Sequence, residues 1–222
     1  LSRMNCDVKV ILPRYACIPW EYQSKMVYRG EFQMNLCSDG RSFYVGIMEY
    51  VWDGVVYDFI DNQEFFSEGN PYTSIIGDIP KFCFFSKAAL AALNYMDWIP
   101  DVIHCHDWQT ALVPMLLNMQ YRGDFPNTRS ILTIHNIEYQ GKCGLDFNRD
   151  VLGAPPQCDE ILRFDDCQNF LKAGIVMADR VGTVSKTYAE ELRYPYYAHG
   201  LSEILASRGE AFSGIVNGIN MA

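Results

Sequence analysis

The side chains best suited to chemistry stand in short polar groups, and each group follows a short apolar run. These groups are His104, His106 and Asp107 after the run from residue 101, His135 and Asn136 after the run from 129, Ser185 after the run from 178, and Asn217 after the run from 212. Imidazole, carboxylate, hydroxyl and amide groups donate or accept hydrogen bonds. Gathered at one place, they are suited to bind a sugar or another polyhydroxylated ligand.

The sequence leaves three interpretations of His104, His106 and Asp107 open. Imidazole and carboxylate groups bind zinc and iron, and two histidines that are two residues apart share one face of a strand, so a metal site is one interpretation. No further ligands are evident nearby in the sequence. The histidines can equally be structural. Asp107 suits the N-terminus of a helix, where a carboxylate acts as a cap or faces a ligand.

Three other candidates each have a structural and a functional interpretation. His135 either is a core histidine or donates to a ligand oxygen. Asn217 precedes Gly218 and therefore either forms a turn or offers its amide to a ligand. Tyr72, in the Gly-Asn-Pro-Tyr segment at 69–72, either packs in a turn or stacks on a sugar ring.

The elements that would position these residues are strands that alternate with helices. Apolar runs at 7–13, 101–104, 129–135, 178–184 and 212–217 predict strands buried on both faces. Helices are predicted between them, at 81–94, 107–121, 158–177 and 187–193, with Thr187 as the N-cap of the last. This alternation is typical of an α/β fold with a doubly wound, mostly parallel sheet. In such sheets ligands bind at the carboxyl ends of the strands.

Residues 31–60 interrupt this alternation. Asp39-Gly40 and Asp53-Gly54 flank a run rich in aromatic and β-branched residues. Because Asp-Gly favours tight hairpin turns, we predict an antiparallel β-meander inserted into the α/β frame. No linker or repeat is evident, so residues 1–222 are predicted to form one domain.

Composition excludes several classes of protein. The 222 residues are 49% apolar and carry a net charge of −9, which favours a compact fold and disfavours binding to nucleic acid. No apolar stretch approaches the ~20 residues that cross a bilayer, and the N-terminus does not resemble a secretory signal. Glycine-rich phosphate loops and a nucleophile elbow are also absent from the sequence. We therefore expect an intracellular protein that contacts neither membrane nor nucleic acid and whose eight cysteines are reduced.

Seven segments resemble bacterial glycogen synthase and plant starch synthase. In chain order they lie at 7–15, 69–72, 104–114, 133–141, 169–174, 178–185 and 214–218. The segment at 104–114 reads His-Cys-His-Asp-Trp-Gln-Thr-Ala-Leu-Val-Pro, and the segment at 133–141 reads Thr-Ile-His-Asn-Ile-Glu-Tyr-Gln-Gly. The resemblance extends over nearly the whole chain.

The resemblance implies a retaining glycosyltransferase of the GT-B architecture, in which two Rossmann-like domains face each other. The chain resembles the N-terminal, acceptor-side domain. The family transfers glucose from ADP-glucose or UDP-glucose to the non-reducing end of an α-1,4-glucan, with no cofactor and no essential metal. The implied partners are the nucleotide sugar, the glucan and a C-terminal domain, and the implied compartment is the cytoplasm, or the plastid stroma in a plant.

The resemblance also assigns roles to four residues. His135 matches the histidine that hydrogen-bonds the transferred glucose, and Asp107 matches the carboxylate that faces the sugar. These two are the implied catalytic residues. Asn217 matches an asparagine that contacts the sugar from the interdomain side, and Tyr72 matches a tyrosine near the acceptor and donor sugars.

The chain also departs from the family pattern. Asn220 replaces a usual Asp, Gln109 a common His and Lys186 a common Pro. The family's Lys-x-Gly-Gly-Leu loop and first strand would precede residue 1, and its second domain would follow residue 222. We therefore expect exposed strand edges and no glucosyl transfer by this chain alone. The alternatives are a non-catalytic glucan-binding module and a metal hydrolase built on His104, His106 and Asp107.

Overall fold

The structure is a computed structural model that describes residues 1–37, 39–68 and 70–218. The chain divides into two compact units, Leu1–Trp98 and Ile99–Ala222. Each unit has its own four-stranded sheet. The organisation of residues 1–222 as one domain stays a prediction, whereas the predicted α/β fold with an inserted antiparallel meander is confirmed.

The first unit is built on a mixed sheet. Its elements are β1 (Lys9–Pro13), α1 (Trp20–Gln23), β2 (Val27–Asn35), β3 (Ser42–Trp52), β4 (Val55–Asp61), α2 (Gln63–Phe66) and α3 (Ile75–Tyr95). The strand order is β1-β4-β3-β2. Strands β2, β3 and β4 form the predicted meander, and β1 pairs in parallel with β4. The turn between β3 and β4 is Asp53-Gly54, where both residues have positive φ, as a two-residue hairpin turn requires.

The second unit is built on a parallel sheet. Its helices and strands are β5 (Val102–His106), α4 (Asp107–Thr110), α5 (Leu112–Met119), β6 (Arg129–Ile134), β7 (Lys142–Cys143), α6 (Cys158–Leu162), β8 (Arg163–Phe164), β9 (Cys167–Asn169), α7 (Phe170–Met177), β10 (Arg180–Thr183), α8 (Lys186–Glu191), α9 (Ser202–Ser207) and β11 (Phe212–Gly214). A π-helical turn occupies Asn148–Leu152 and a 3₁₀ turn occupies Gly209–Ala211. In the first unit, a 3₁₀ turn occupies Ser2–Met4.

The parallel sheet has the strand order β11-β10-β6-β5. Each new strand is added on the same side of the previous one, so right-handed crossovers place the connecting helices on one face of the sheet. That face carries the fully buried side chains, such as Cys105, Leu132 and Val181. The carboxyl ends of all four strands therefore lie at one edge.

Three helix predictions need correction. The predicted helix 107–121 is two helices, α4 and α5, and Pro114 lies in the first turn of α5, where its missing N–H costs little. The predicted helix 158–177 is interrupted by the hairpin β8–β9, whose turn contains Asp165 with φ of 52°. The N-cap of α8 is Ser185, which accepts a hydrogen bond from the backbone N–H of Tyr188, so the prediction of Thr187 was wrong.

Packing at the sheet edge requires a glycine at the end of β11. A Cβ atom at Gly214 would lie 1.9 Å from the backbone oxygen of Ser185, far inside van der Waals contact. Glycine therefore lets β11 approach the start of α8. The backbone N–H of Ile215 continues this contact by donating to the oxygen of Thr183.

Candidate functional site

The candidate site lies at the carboxyl edge of the parallel sheet. Strands β5, β6, β10 and β11 end at His106, Ile134, Thr183 and Gly214, so the polar residues after them share this edge. Hydrogen bonds join two of the groups directly, the one after β5 and the one after β6. These bonds define a cluster of His104, His106, Asp107, Thr133 and His135, which we call the edge cluster.

Asp107 connects the ends of β5 and β6. Its Oδ1 accepts hydrogen bonds from the backbone N–H of His135 at 2.7 Å and from that of Asn136 at 3.2 Å. Asp107 itself has φ of 54°, a left-handed conformation that costs most L-residues energy and that Asp tolerates better than most. The carboxylate thus fixes the backbone that carries His135.

The histidine rings of the edge cluster form a second connection. His106 Nδ1 lies 3.0 Å from His135 Nε2, and the ring centroids are 5.3 Å apart. His104 Nε2 lies 2.7 Å from the hydroxyl oxygen of Thr133, and its ring lies 4.3 Å from that of His106. All three histidines are exposed. A ligand at this edge would therefore meet imidazole nitrogens.

The environment keeps two of these rings neutral near pH 7. Desolvation, followed by the neighbouring His104 and His135, lowers the pKa of His106 to about 4, against the raising effect of Asp107. Desolvation, together with His135, also lowers the pKa of His104. A neutral imidazole has one N–H donor and one nitrogen acceptor, so each ring can bond to its neighbour and to a hydroxyl group.

Thr110, the last residue of α4, binds the backbone of His106, which lies four residues earlier in the chain. Its hydroxyl accepts a hydrogen bond from the His106 N–H at 2.6 Å and donates to the His106 oxygen at 2.8 Å. Sequence reasoning missed Thr110 and Thr133. The spacing of four residues between His106 and Thr110 was the available signal, because a hydroxyl at that distance in a helix reaches the backbone oxygen of the earlier residue.

The segment after His135 is also fixed. The side-chain oxygen of Asn136 accepts a hydrogen bond from the backbone N–H of Glu138, and the N–H of Ile137 donates to the hydroxyl of Tyr188 on α8. Ser185, a candidate polar group, caps α8. Asn136, Ser185 and Tyr188 therefore support the edge rather than line it.

Asn217 and Tyr72 are exposed. Asn217 lies three residues beyond the end of β11, and within the described chain no hydrogen bond joins it to Asp107 or His135. Tyr72 belongs to the first unit, in the loop before α3. Its backbone N–H donates to the side chain of Asn70, and its ring lies 6.2 Å from that of Phe82. Asn220 lies outside the described residues.

Two buried charges shape the loop that presents Tyr72. The carboxylate of Asp78 accepts hydrogen bonds from the N–H and hydroxyl of Thr73 and from the ammonium group of Lys81. Lys81 also donates to the backbone oxygen of Pro71 at 2.6 Å. The ion pair of Asp78 and Lys81 thus bonds to Thr73 and Pro71, the residues on either side of Tyr72.

The described residues contain neither a group of side chains arranged as a metal site nor a helix suited to span a membrane. Within 1–37, 39–68 and 70–218, no group of three or more His, Cys, Asp or Glu side chains has the arrangement of a metal site. The ring nitrogens nearest one another, on His106 and His135, hydrogen-bond to each other. Of the helices in the same residues, none has the length and apolar content to cross a membrane.

The chain matches known proteins over nearly its full length. The family model described as the starch synthase catalytic domain matches residues 1–207. Glycogen synthase from Lachnospira eligens is 48% identical over 224 residues, which are 99% of this chain and 46% of that protein. Glycogen synthase from Lachnoclostridium phytofermentans is 41% identical, with the same coverage of both chains.

A solved structure agrees with these sequence matches. The catalytic domain of starch synthase IV from Arabidopsis thaliana, bound to ADP and acarbose, superposes with a TM-score of 0.85 at 31% identity, over 99% of this chain and 46% of that one. The chain thus spans about half the length of the relatives it matches. Sequence, fold and family model agree that the chain belongs to the glycogen synthase and starch synthase catalytic domain family.

Proposed function

We propose that this chain is the acceptor-side part of a retaining glycosyltransferase in glycogen or starch synthesis. The reaction moves glucose from ADP-glucose, or alternatively UDP-glucose, to the non-reducing end of an α-1,4-glucan. The observation that carries the proposal is the position of His135, which Asp107 and His106 hold at the carboxyl edge of the sheet. The ADP bound to the Arabidopsis relative supports an adenine nucleotide donor.

The proposed chemistry exchanges one bond at the anomeric carbon for another. The bond from that carbon to the diphosphate oxygen breaks, a bond to the 4-hydroxyl oxygen of the glucan forms on the same face, and the hydroxyl proton goes to the leaving diphosphate. Departure of the diphosphate leaves positive charge on the sugar. Neutral dipoles and a carboxylate that are already in place stabilise that charge without reorganisation.

In this proposal each candidate residue has a defined task. The imidazole of His135 hydrogen-bonds a hydroxyl of the transferred glucose. Asp107 fixes the His135 backbone through Oδ1, and its negative charge faces the sugar. Asn217 and Tyr72 contact sugar rings. Both side chains are exposed and therefore accessible to such a ligand. No metal and no cofactor has a task in this scheme.

The reaction requires side chains that bind the diphosphate, and we do not propose that this chain supplies them. Its relatives are about twice as long, so we propose that a second domain completes the site and that these 222 residues alone do not transfer glucose. We place the reaction in the cytoplasm, in line with bacterial relatives named glycogen synthase.

A chimera tests this proposal. Residues 1–222 replace the matching segment of the Lachnospira eligens glycogen synthase, and transfer of radiolabelled glucose from ADP-glucose to glycogen is measured for the chimera and for the 222-residue chain. We expect transfer by the chimera only, and a loss of at least 100-fold in its His135→Ala variant. An inactive but folded chimera contradicts the proposed function, and turnover by the chain alone contradicts the need for a second domain.

A glucan-binding module without catalysis is the second candidate, because the chain spans only 46% of its relatives. Co-sedimentation of the chain with glycogen tests it. Binding to glycogen together with an inactive chimera would favour this candidate, whereas an active chimera removes it.

A further inference from the structure

The ring of His135 has a partner to which the family resemblance gives no role. Its Nε2 lies 3.0 Å from Nδ1 of His106, on the neighbouring strand end. We infer that His106 is a positioning residue, which sets the orientation of the His135 imidazole and couples its tautomer to that of His106. The inference rests on the proposed function, in which His135 contacts the transferred glucose.

The backbones of both residues are anchored independently of the bond between their rings. Asp107 binds the backbone N–H of His135, and Thr110 binds both the N–H and the oxygen of His106. With the two backbones fixed, each side chain has only its two side-chain torsions left. A hydrogen bond between the rings restricts those torsions on both residues at once. His135 is thereby oriented before a ligand arrives, which lowers the cost of ordering it.

The bond also couples the tautomer of His135 to that of His106. An N–H···N bond needs one donor and one acceptor, so either His135 Nε2 donates to His106 or it accepts the Nδ1 proton of His106. In the first case His135 Nδ1 offers a lone pair to a sugar hydroxyl, and in the second it offers an N–H. Whichever state prevails, the nitrogen outside the bond has one defined character.

The titratable groups that face His106 are two imidazoles and one carboxylate. On its own strand the neighbour is His104, across the strand end it is His135, and on α4 it is Asp107. One proton on the pair still leaves a donor facing an acceptor. Only a second proton would place two N–H donors against each other, and desolvation and the neighbouring imidazoles, which lower the pKa of His106, oppose its protonation.

His104 provides a matched control within the same cluster. It lies on the same face of β5, two residues from His106, but its hydrogen bond goes to the hydroxyl of Thr133. Substitution of His104 removes an imidazole from the edge without removing the bond between His106 and His135. His199 is a control away from the cluster, with an exposed side chain and φ of 49°, which Asn tolerates.

The first experiment detects the bond directly in the 222-residue chain. Uniform ¹⁵N labelling gives ring signals from only four histidines, and single substitutions assign them. We expect a scalar coupling through the hydrogen bond between Nδ1 of His106 and Nε2 of His135, present in the wild type and in His104→Phe and absent in His106→Phe. A folded wild-type chain that shows no coupling from pH 6 to 8 overturns the inference.

The second experiment measures the consequence for catalysis in the chimera. His106→Phe keeps a planar ring and should lower kcat about tenfold with less than a twofold change in KM for glycogen. His106→Asn places an amide where Nδ1 was and should recover most of kcat, while His199→Asn should match the parent. Equal kcat in His106→Phe and the parent overturns the positioning role. An inactive parent chimera instead contradicts the proposed function, and the coupling experiment still reports on the pair.

Discussion

Asp107 gives the sharpest test of how the candidate site is held together. It combines two features, an oxygen that accepts two backbone hydrogen bonds and a backbone in the left-handed region. Three substitutions separate them. Asn keeps an acceptor and tolerates positive φ, Gly keeps only the conformational freedom, and Ala keeps neither.

The structure sets the expected magnitudes. Each hydrogen bond to a charged acceptor contributes about 1.5–3 kcal/mol. Because His135 and Asn136 are exposed residues, where water replaces a lost partner, we take about 1.5 kcal/mol for the two bonds together. Asp107→Gly should then cost about 1.5 kcal/mol. Asp107→Ala adds a left-handed penalty of about 1–2 kcal/mol and should cost about 3 kcal/mol. Asp107→Asn should stay within about 1 kcal/mol of the wild type.

Urea unfolding followed by circular dichroism measures these differences, and hydrogen exchange at the amides of His135 and Asn136 reports on the bonds themselves. Exchange at these two amides should accelerate in the Gly and Ala variants and much less in the Asn variant, while the amide of Leu132, inside β6, serves as the internal control. If Ala is no less stable than Gly, the argument from backbone conformation is wrong. If Gly exchanges like the wild type, the carboxylate does not hold this segment.

Three further predictions follow from other contacts. Gly214→Ala should destabilise the second unit by about 1–3 kcal/mol, measured by urea unfolding, since the new methyl group meets the backbone oxygen of Ser185; a neutral result would contradict the tight approach. Lys81→Met should cost about 3–5 kcal/mol in the first unit, because it leaves the carboxylate of Asp78 buried without its cation; Lys81→Arg should cost less, and equal losses would refute the role of charge. Because the pKa of His106 is lowered in the folded chain, the unfolded chain binds the proton more readily. The contribution of neutral His106 to stability is therefore present above about pH 6.5 and is lost towards pH 4. A pH series of unfolding midpoints should be flatter for His106→Phe, and an unchanged slope would contradict the lowered pKa.

The sequence predicted the arrangement of the strands better than that of the helices. Short apolar runs at 129–135 and 178–184 became β6 and β10 because a strand buried in a parallel sheet needs little beyond continuous apolar side chains. The Asp-Gly pair at 53–54 fixed a hairpin by its local φ preference. In both cases the determining interaction is local, so the residues themselves carry the signal.

The missed features depend on contacts between residues distant in sequence. The hairpin β8–β9 lies between the apolar residues of α6 and α7, which the prediction joined into one helix. Asn169 instead caps α7 and donates to the side chain of Gln140, 29 residues earlier. The position of Ser185 as N-cap is likewise tied to the approach of Gly214. A pattern read along the chain contains no information about such partners.

The candidate site shows the same division between local and distant information. The order of polar residues after strands predicted that His106, Asp107 and His135 lie at one edge, and parallel topology places them there. Their hydrogen bonds required the register of β5 against β6, in which His106 pairs with Thr133. That register was not deducible from spacing, and neither was the contribution of Tyr188, whose hydroxyl accepts from Ile137, 51 residues earlier in the chain.

The register also explains why the polar residues after β5 have their particular spacing. His104 reaches the side chain of Thr133 on β6, and two residues later His106 reaches the ring of His135 just beyond that strand. Asp107, the next residue, turns into the left-handed region and binds the backbone of the same histidine. All three polar side chains of the His-x-His-Asp segment therefore bond to β6 or to the residues that follow it. Two of them, Asp107 and His106, hold one imidazole, that of His135, by its backbone and by its ring.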